Sequence, residues 1–411
     1  MNLRSLQIQS VDGVFLILIA GLALFGCLMV YSASSHYAAQ NHSTSFYYFG
    51  RQLIWLSISV IGGLGAYLIG YRRLVENSVL LVIVSFILLV LVLFLPPIRN
   101  VHRWIQMGPV NFQPSEMARI SVILFFTLVL AHKNDKGVDP GKYITLIAAA
   151  TVIGGLIVIE PDIGNTLALT ASLGAVLYLS GCRKRYLALT ASLMVMIVGV
   201  MIFGFGYEQD RLVEYISGLK NPFDSQYQVL QGLIAIGSGG LFGTGLGEGG
   251  QKLLFLPEPY SDFIFASTAE ETGIIITLPL ITIFTLIFLR GCRIARESRD
   301  AEGTIVTYGL STMIVASAFI NIGVVMGVLP VTGLPLPFIS YGGSSLLFNM
   351  IAAGIILSVS GISGEKSKSR THSGTGRDSF DRYHIRRRWY GRSYLPGTGG
   401  GRTYNGKKAG R

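Results

Sequence analysis

The stretch NSVLLVIVSFILLVLVLFL, Asn77 to Leu95, runs 19 residues without a charged side chain. A bilayer core about 30 Å thick needs about 20 apolar residues per helix, so this stretch reads as a membrane-crossing helix. Working outward, nine further runs of similar length and polarity appear, at 12–33, 51–70, 116–132, 143–159, 163–181, 187–206, 263–289, 304–328 and 343–362. The expected fold is therefore an all-α polytopic membrane protein of about ten transmembrane helices. Hydrophobic residues make up 51% of the 411 residues and charged residues 13%, against about 25% charged in soluble domains. A soluble enzyme is excluded on that ground.

The net charge of +11 does not point to nucleic acid. Residues 364–411 hold 13 Lys/Arg against 3 Asp/Glu, which leaves the first 363 residues with 20 basic and 19 acidic groups. That basic tail, rich in Ser, Gly and Arg, lacks the apolar residues to bury a core and is expected to be disordered, with anionic lipid headgroups as its simplest partner. The three cysteines, Cys27, Cys182 and Cys292, have no metal-ligand or disulfide-framework spacing.

Lys/Arg bias orients the spans. One set of connections carries 13 basic residues, among them Arg72, Arg73, Arg183 and Arg293, and the other carries 7. Both termini are therefore expected on the cytoplasmic side, with the first span retained in the membrane and not cleaved as a signal peptide.

On the outer side the sequence becomes unusual. About 56 residues, Tyr207 to Asp262, form a large extracytoplasmic loop between helices 7 and 8. Its GSGGLFGTGLGEGGQK segment, Gly237 to Lys252, has glycine spacing like a phosphate loop. Gln251 and Lys252 stand where that loop needs Lys and Ser/Thr, so a path of close backbone approach is the better reading. Asp262 falls where the eighth span begins, either as a functional carboxylate or as a helix-start carboxylate favoured by the macrodipole. Glu270 and Glu271, deeper in that span, read as a buried structural pair held by an Arg or a backbone donor. Glu116 and Arg119 are three apart and share a helix face. Asp162 sits in a sharp outer turn, Glu160 to Thr166, and Asn321 to Ser345 is broken by prolines and glycines. Irregular backbone at membrane depth is tolerated against protein or water, so these features imply one outward-facing site.

These residues resemble the SEDS family (shape, elongation, division and sporulation), the polytopic peptidoglycan glycosyltransferases, and most closely its FtsW/SpoVE branch. The resemblance rests on MVYSAS (Met29 to Ser34), HRWI (His102 to Ile105), FQPSE (Phe112 to Glu116), EPDIGNT, LPEPYSDFIFA (Leu256 to Ala266) and PLPFISYGGSS (Pro335 to Ser345). It covers nearly all of residues 1–363 and not the tail.

The resemblance implies a glycosyltransferase that polymerises lipid II into β-1,4-linked glycan at the outer face of a bacterial cytoplasmic membrane, inverting the anomeric carbon. Asp262 takes the place of the family's essential carboxylate and is expected to act as general base. Glu116, Arg119, Asp162, Glu258, Ser340 and Ser344 are expected in substrate contact, with Arg103, Arg119 and Lys252 as cations for the departing pyrophosphate. A divalent cation is the alternative for that last role. Arg stands at 119 where many relatives have Lys, and Arg cannot easily lose its proton. Pro259 and Tyr260 stand before Ser261 where relatives commonly have His or Ala-His. The implied partners are a class B penicillin-binding protein and other divisome or elongasome membrane proteins. A lipid II flippase and a non-catalytic division-complex scaffold are the competing readings.

Overall fold

The computed structural model describes residues 11–41, 44–98, 101–107, 110–131, 140–200, 203, 209–221, 223, 225–253 and 255–371. The chain divides into two units, 1–365 and 366–411. The first is a bundle of helices, and the basic tail from 372 lies outside the described residues.

The helices are α1 (Gly13–Asn41), α2 (Tyr47–Ile69), α3 (Tyr71–Glu76), α4 (Ser78–Phe94), α5 (Pro114–Ala131), α6 (Pro140–Ile159), α7 (Ile163–Leu179), α8 (Lys184–Gly199), α9 (Gln209–Lys220), α10 (Tyr227–Gly239), α11 (Ile264–Thr272), α12 (Ile274–Glu297), α13 (Ala301–Val325) and α14 (Gly343–Thr371). Seven of them are long and apolar enough to cross a membrane: α1, α2, α5, α6, α12, α13 and the Gly343–Gly361 part of α14. The apolar helices α4 and α7, 17 residues each, are at the lower end of what a bilayer core requires. Proline at the first position of α5 and α6 suits a helix start, where its missing N–H has no partner to lose.

The bundle has an inside and a lipid face. In α5, α13 and α14, 72 to 83% of the apolar span is buried, against 28% in α2 and α12. On α2 the exposed residues Ile54, Ile58, Ile61, Leu64 and Leu68 recur every three or four positions, the stripe expected where the solvent is hydrocarbon. The opposite face of α2 packs tightly on α14: a Cβ on Gly354 would lie 2.1 Å from the Gly63 carbonyl oxygen. Small residues at such contacts let membrane helices approach backbone to backbone.

Three features depart from the sequence reading. The span at 263–289 is not continuous, because Gly273 (φ +65°) breaks it into the fully buried half-helix α11 and the longer α12. The loop at 207–262 is in large part helical, holding α9, α10 and a 3₁₀ turn, Gln251–Leu253. Between α4 and α5 lies an antiparallel hairpin, β1 (Ile105–Met107) with β2 (Val110–Phe112), so the chain is not wholly helical.

The glycine-rich path does bring backbones together. Gly243 (φ +79°) passes so close to α11 that a Cβ there would meet the Glu271 carbonyl oxygen at 2.2 Å. The amides of Thr244 and Gly245 donate to the carbonyls of Glu270 and Glu271 at 2.9 and 3.1 Å. The two carboxylates accept from Gln251 N (3.0 Å) and Gly247 N (3.1 Å), and Glu271 also from the Ser32 hydroxyl of α1. Backbone donors thus hold the buried acidic pair, and the loop fastens α11 in place.

Candidate active site

The first turns of α2, the start of α14 and the segments that lead into α5, α11 and α14 line a cavity of about 230 Å³. Asp262 and Glu258 line it, together with Tyr48, Arg51, Trp104, Gln113, Tyr341 and Ser344. Among the described residues no group of three or more His, Cys, Asp or Glu side chains converges as a metal-binding set would.

Asp262 sits just before α11, and its backbone is pinned by its neighbours. The Tyr260 carbonyl accepts Tyr341 N at 2.9 Å, the Ser261 carbonyl accepts the Ser340 hydroxyl at 2.8 Å, and the Asp262 carbonyl accepts Asn321 Nδ2 at 2.8 Å. Asn321 also donates to the Leu334 carbonyl at 2.7 Å, and Ser340 Oγ accepts Leu336 N at 2.8 Å. The stretch before α11 and the proline-broken segment after α13 are therefore stitched together as one wall. Aromatic packing braces it. Tyr260, 4% exposed, has the rings of Tyr48, Tyr341 and Tyr37 with centroids at 4.5, 5.7 and 5.8 Å.

Glu258 (φ +48°) and Phe338 (φ +66°) are non-glycine residues in the left-handed region. Both fall in the motif loops that build this region. Such backbone costs of order 1–3 kcal/mol each and persists where surrounding contacts over-determine it, often at active sites.

The expected site residues fall into two groups. Asp262, Glu258 and Ser344 line the cavity, although the Ser344 hydroxyl is already used, accepting Gln113 N (3.1 Å) and donating to the Asn111 carbonyl (2.8 Å) to tie the hairpin to α14. Arg103, Glu116, Arg119, Asp162 and Ser340 are buried behind or beneath the wall. The side chain of Lys252 lies outside the described residues.

Arg103 donates through Nε to the Glu160 carbonyl at 2.9 Å. Its Nη1 and Asp262 Oδ2 each lie 3.5 Å from where a Cβ on Gly333 would sit, so the two groups are at most about 7 Å apart. Asp162 caps α7 and is saturated. Its Oδ1 accepts Asn165 N at 3.2 Å, and its Oδ2 accepts Gln113 Nε2, Ser115 Oγ and Asn165 Nδ2 at 2.7 to 2.9 Å. Glu116 and Arg119, each 1% exposed, pair with one another, and Arg119 Nη1 donates to Ser317 at 2.9 Å.

Glu160 is a residue the motif reading misses, because Asp162 two positions on is the more conspicuous helix-start carboxylate. It is fully buried, among the described residues neither carboxyl oxygen has a hydrogen-bond partner, and burial with help from nearby Asp162 pushes its carboxyl up to about 9 against the pull of Arg103. It is neutral at pH 7. Sequence reasoning also misses Tyr48 and Arg51. Aromatic and basic residues at a span end are ordinary membrane-interface composition, so nothing in the local sequence distinguishes them. Trp104 and Tyr341, by contrast, lie inside motifs already singled out.

Residues 13–364 match the family model described as cell cycle protein, FTSW_RODA_SPOVE. The chain belongs to this family. Among curated relatives of the FtsW/RodA/SpoVE family, the chain is 35% identical over 370 residues to a probable peptidoglycan glycosyltransferase FtsW of Geobacter metallireducens, covering 88% of this chain and 96% of the relative. It is 35% identical to stage V sporulation protein E of Bacillus subtilis over 356 residues, covering 85% and 97%. Among solved structures, its fold is similar to a chain of a peptidoglycan synthase complex that coordinates polymerization and crosslinking (TM-score 0.70, 23% identity, covering 86% of this chain and 98% of that one). It is also similar to the rod shape determining protein RodA of Thermus thermophilus (TM-score 0.64, 24% identity, covering 85% and 97%). The family fold is thus a multi-pass helical membrane protein, as the sequence implied.

Proposed function

We propose that this chain is a peptidoglycan glycosyltransferase that polymerises lipid II at the outer face of the cytoplasmic membrane, with Asp262 as general base. One observation carries the reading: a half-buried carboxylate on a rigidly stitched backbone lines a cavity assembled from four separate motif segments. In the reaction the acceptor's 4-hydroxyl gives its proton to Asp262 as its oxygen attacks the donor's anomeric carbon. The bond to the pyrophosphate breaks, its electron pair leaves with the phosphate oxygen, and the α-linkage becomes β. A positioned base contributes about 10² to 10⁴ in rate.

The departing pyrophosphate needs positive charge where it forms. Arg103, behind Gly333, and Arg51, whose guanidinium lies 5.6 Å from the Tyr47 ring centre and which lines the cavity, are the cations nearest that role. Arg119, enclosed by Glu116 and Ser317, suits a structural part better. Asp162, with all its bonds made, acts on the site by holding Gln113 and Ser115 in place.

The Lys/Arg bias supports cytoplasmic termini and, with them, a cavity that opens on the outer side, where this reading has lipid II presented. The implied partner is a class B penicillin-binding protein that cross-links the product, and the likeness to a chain of a synthase complex supports it. A flippase reading draws on one feature, the broken α11–α12 pair with buried carboxylates, since discontinuous helices also serve transporters. Purified chain incubated with lipid II in detergent, alone and with its co-purified partner, decides. Glycan formation by wild type and none by Asp262→Asn is the expected result; no glycan from wild type in either form returns the flippase or scaffold reading.

A further inference from the structure

The backbone around Asp262 is fixed without help from the Ser261 side chain. Three consecutive carbonyls, of Tyr260, Ser261 and Asp262, are tied to donors from Tyr341, Ser340 and Asn321, and the amide of Ser261 donates to the Glu258 carbonyl at 3.0 Å. The Ser261 hydroxyl is therefore available for another purpose. It lies 3.0 Å from Asp262 Oδ1 and 3.4 Å from the Tyr341 carbonyl oxygen. A hydroxyl has one proton to donate, and the shorter contact to a carboxylate is the stronger of the two, because bonds to an ionised acceptor are roughly twice as strong as neutral ones. The other oxygen, Oδ2, is turned towards Gly333 and Arg103.

We propose that Ser261 is a positioning residue of the site: its hydroxyl holds the Asp262 carboxylate in the rotamer that receives the acceptor's proton. A carboxylate on a fixed backbone still rotates about χ1 and χ2, and a base needs its accepting oxygen within about 2.6 to 3.2 Å of the proton's oxygen. The Ser261 bond restricts that rotation at Oδ1 and aims Oδ2. It also stabilises the charged form, which is the form that accepts a proton. Among the described residues, the titratable groups lining this cavity beside Asp262 are Glu258, Tyr48, Tyr260, Tyr341 and Arg51, with Arg103 across Gly333. Substitution at 261 changes none of them.

This inference rests on the glycosyltransferase reading, and the test separates the two. Ser261→Thr and Ser261→Val are compared because the two side chains have nearly the same shape and differ by the hydroxyl. Lipid II polymerisation is followed as kcat and KM across pH, with thermal unfolding measured on the same preparations. The expected result is that Ser261→Thr stays within about threefold of wild type. Ser261→Val loses about ten- to hundredfold in kcat with KM little changed, the size of effect that misplacing a reacting group by about 1 Å produces. The acid limb of its pH profile moves to higher pH, since a carboxylate that loses a donor binds its proton more tightly. Equal kcat and coincident acid limbs in Thr and Val overturn the inference while leaving the function standing. Equal losses in both variants at wild-type melting temperature overturn it too, because the hydroxyl then confers nothing. If Ser261→Val does not fold, Ser261→Ala replaces it, judged against Ser261→Thr by the same criteria. A wild-type chain that makes no glycan fails the function itself, a different outcome from any of these.

Discussion

Asp162 and Asp262 are the same residue type in the same local setting, a turn just before a buried helix, yet the fold spends them differently. Asp162 is 2% exposed and accepts from four donors drawn from β2–α5 and its own helix. Asp262 is half-buried on the wall of the cavity, and its backbone carbonyl is tied to Asn321. A carboxylate whose lone pairs are all satisfied is a structural joint. One that keeps a face towards a cavity is available for proton transfer. The difference comes from the partners each turn recruits.

The paired substitutions Asp262→Asn and Asp162→Asn test that contrast most severely. Asn can still serve at a helix start. Asp262→Asn should therefore keep its melting temperature while losing about 10² to 10⁴ in rate, because an amide does not accept the proton. Asp162→Asn should do the reverse. Asn keeps one acceptor oxygen: turned to Gln113, Ser115 and Asn165 Nδ2 it sets its NH₂ against the Asn165 amide, and a lost bond to a buried charged acceptor costs about 1.5 to 3 kcal/mol. Its melting temperature should fall, and the folded fraction should still polymerise. A stable but inactive Asp162→Asn protein would erase the distinction.

Next in size is the buried pair beneath the cavity. Removing one partner of a buried ion pair costs about 3 to 5 kcal/mol. Glu116→Ala strands Arg119, which cannot shed its proton, so it should lose more stability than Arg119→Ala. Thermal unfolding in detergent measures both. An Arg119→Ala protein of unchanged stability that makes no glycan would place the guanidinium on substrate and move the pair from the structural side of the comparison to the chemical side.

Glu160 sharpens the comparison from the other direction, as a carboxyl that burial keeps neutral. Its folded-state value, about 9, lies above the ordinary 4.5. The folded chain therefore holds a proton that the unfolded chain releases. That contribution to stability is fully present below about 4.5 and is lost as the pH rises towards about 9. Glu160→Gln, a neutral mimic of the protonated acid, should polymerise within a few-fold of wild type and flatten this part of the stability–pH curve. A large loss of activity with the fold intact would mean that the ionised form is the one in use.

Sequence reasoning reaches the motifs because their residue types are conspicuous: charges in an apolar chain, prolines and glycines at span ends. It places Asp262 at a helix start and reads Glu270–Glu271 as a buried structural pair, leaving open whether an Arg or backbone donors hold it; the structure supplies backbone donors. It does not reach the break at Gly273, although Gly after Glu-Glu-Thr carries the composition of a helix C-terminus, because the apolar residues on either side run on as if one helix continued. The hairpin at Ile105–Phe112 is equally hidden, since three-residue strands are too short to show alternation. What no local pattern can show is the division between lining and buried residues. That depends on contacts such as Ser344 with Asn111 and Asn321 with Asp262, made across 233 and 59 positions.

The smallest expected effect lies at the opposite ends of the same helices. Asp300 caps α13: its Oδ1 accepts Gly303 N at 2.8 Å, while Oδ2 accepts Tyr71 Oη at 2.9 Å and Arg72 Nη2 at 2.8 Å. Burial works to raise this carboxyl, but the Gly303 amide and the Arg72 and Tyr71 donors outweigh it and hold it below its ordinary 3.8. The stability it contributes is therefore fully present above about 3.8 and is lost as the pH falls through the lower folded value. Asn is as good a cap as Asp, so Asp300→Asn keeps the cap and removes the charge pair together with the bond accepted from Tyr71 Oη. Arg72 is 55% exposed, and an exposed pair of this kind is worth about 0.2 to 1 kcal/mol. Asp300→Ala forfeits the cap as well, about 1 kcal/mol more. Unfolding at pH 7 should rank wild type, Asn and Ala in that order with small steps, while lipid II polymerisation stays unchanged in all three because the cavity is built at the other ends of α2 and α13. A fall in polymerisation in Asp300→Asn at unaltered stability would show that the two ends of the bundle are coupled, and the separation of joint from chemistry drawn between Asp162 and Asp262 would no longer follow position in the fold.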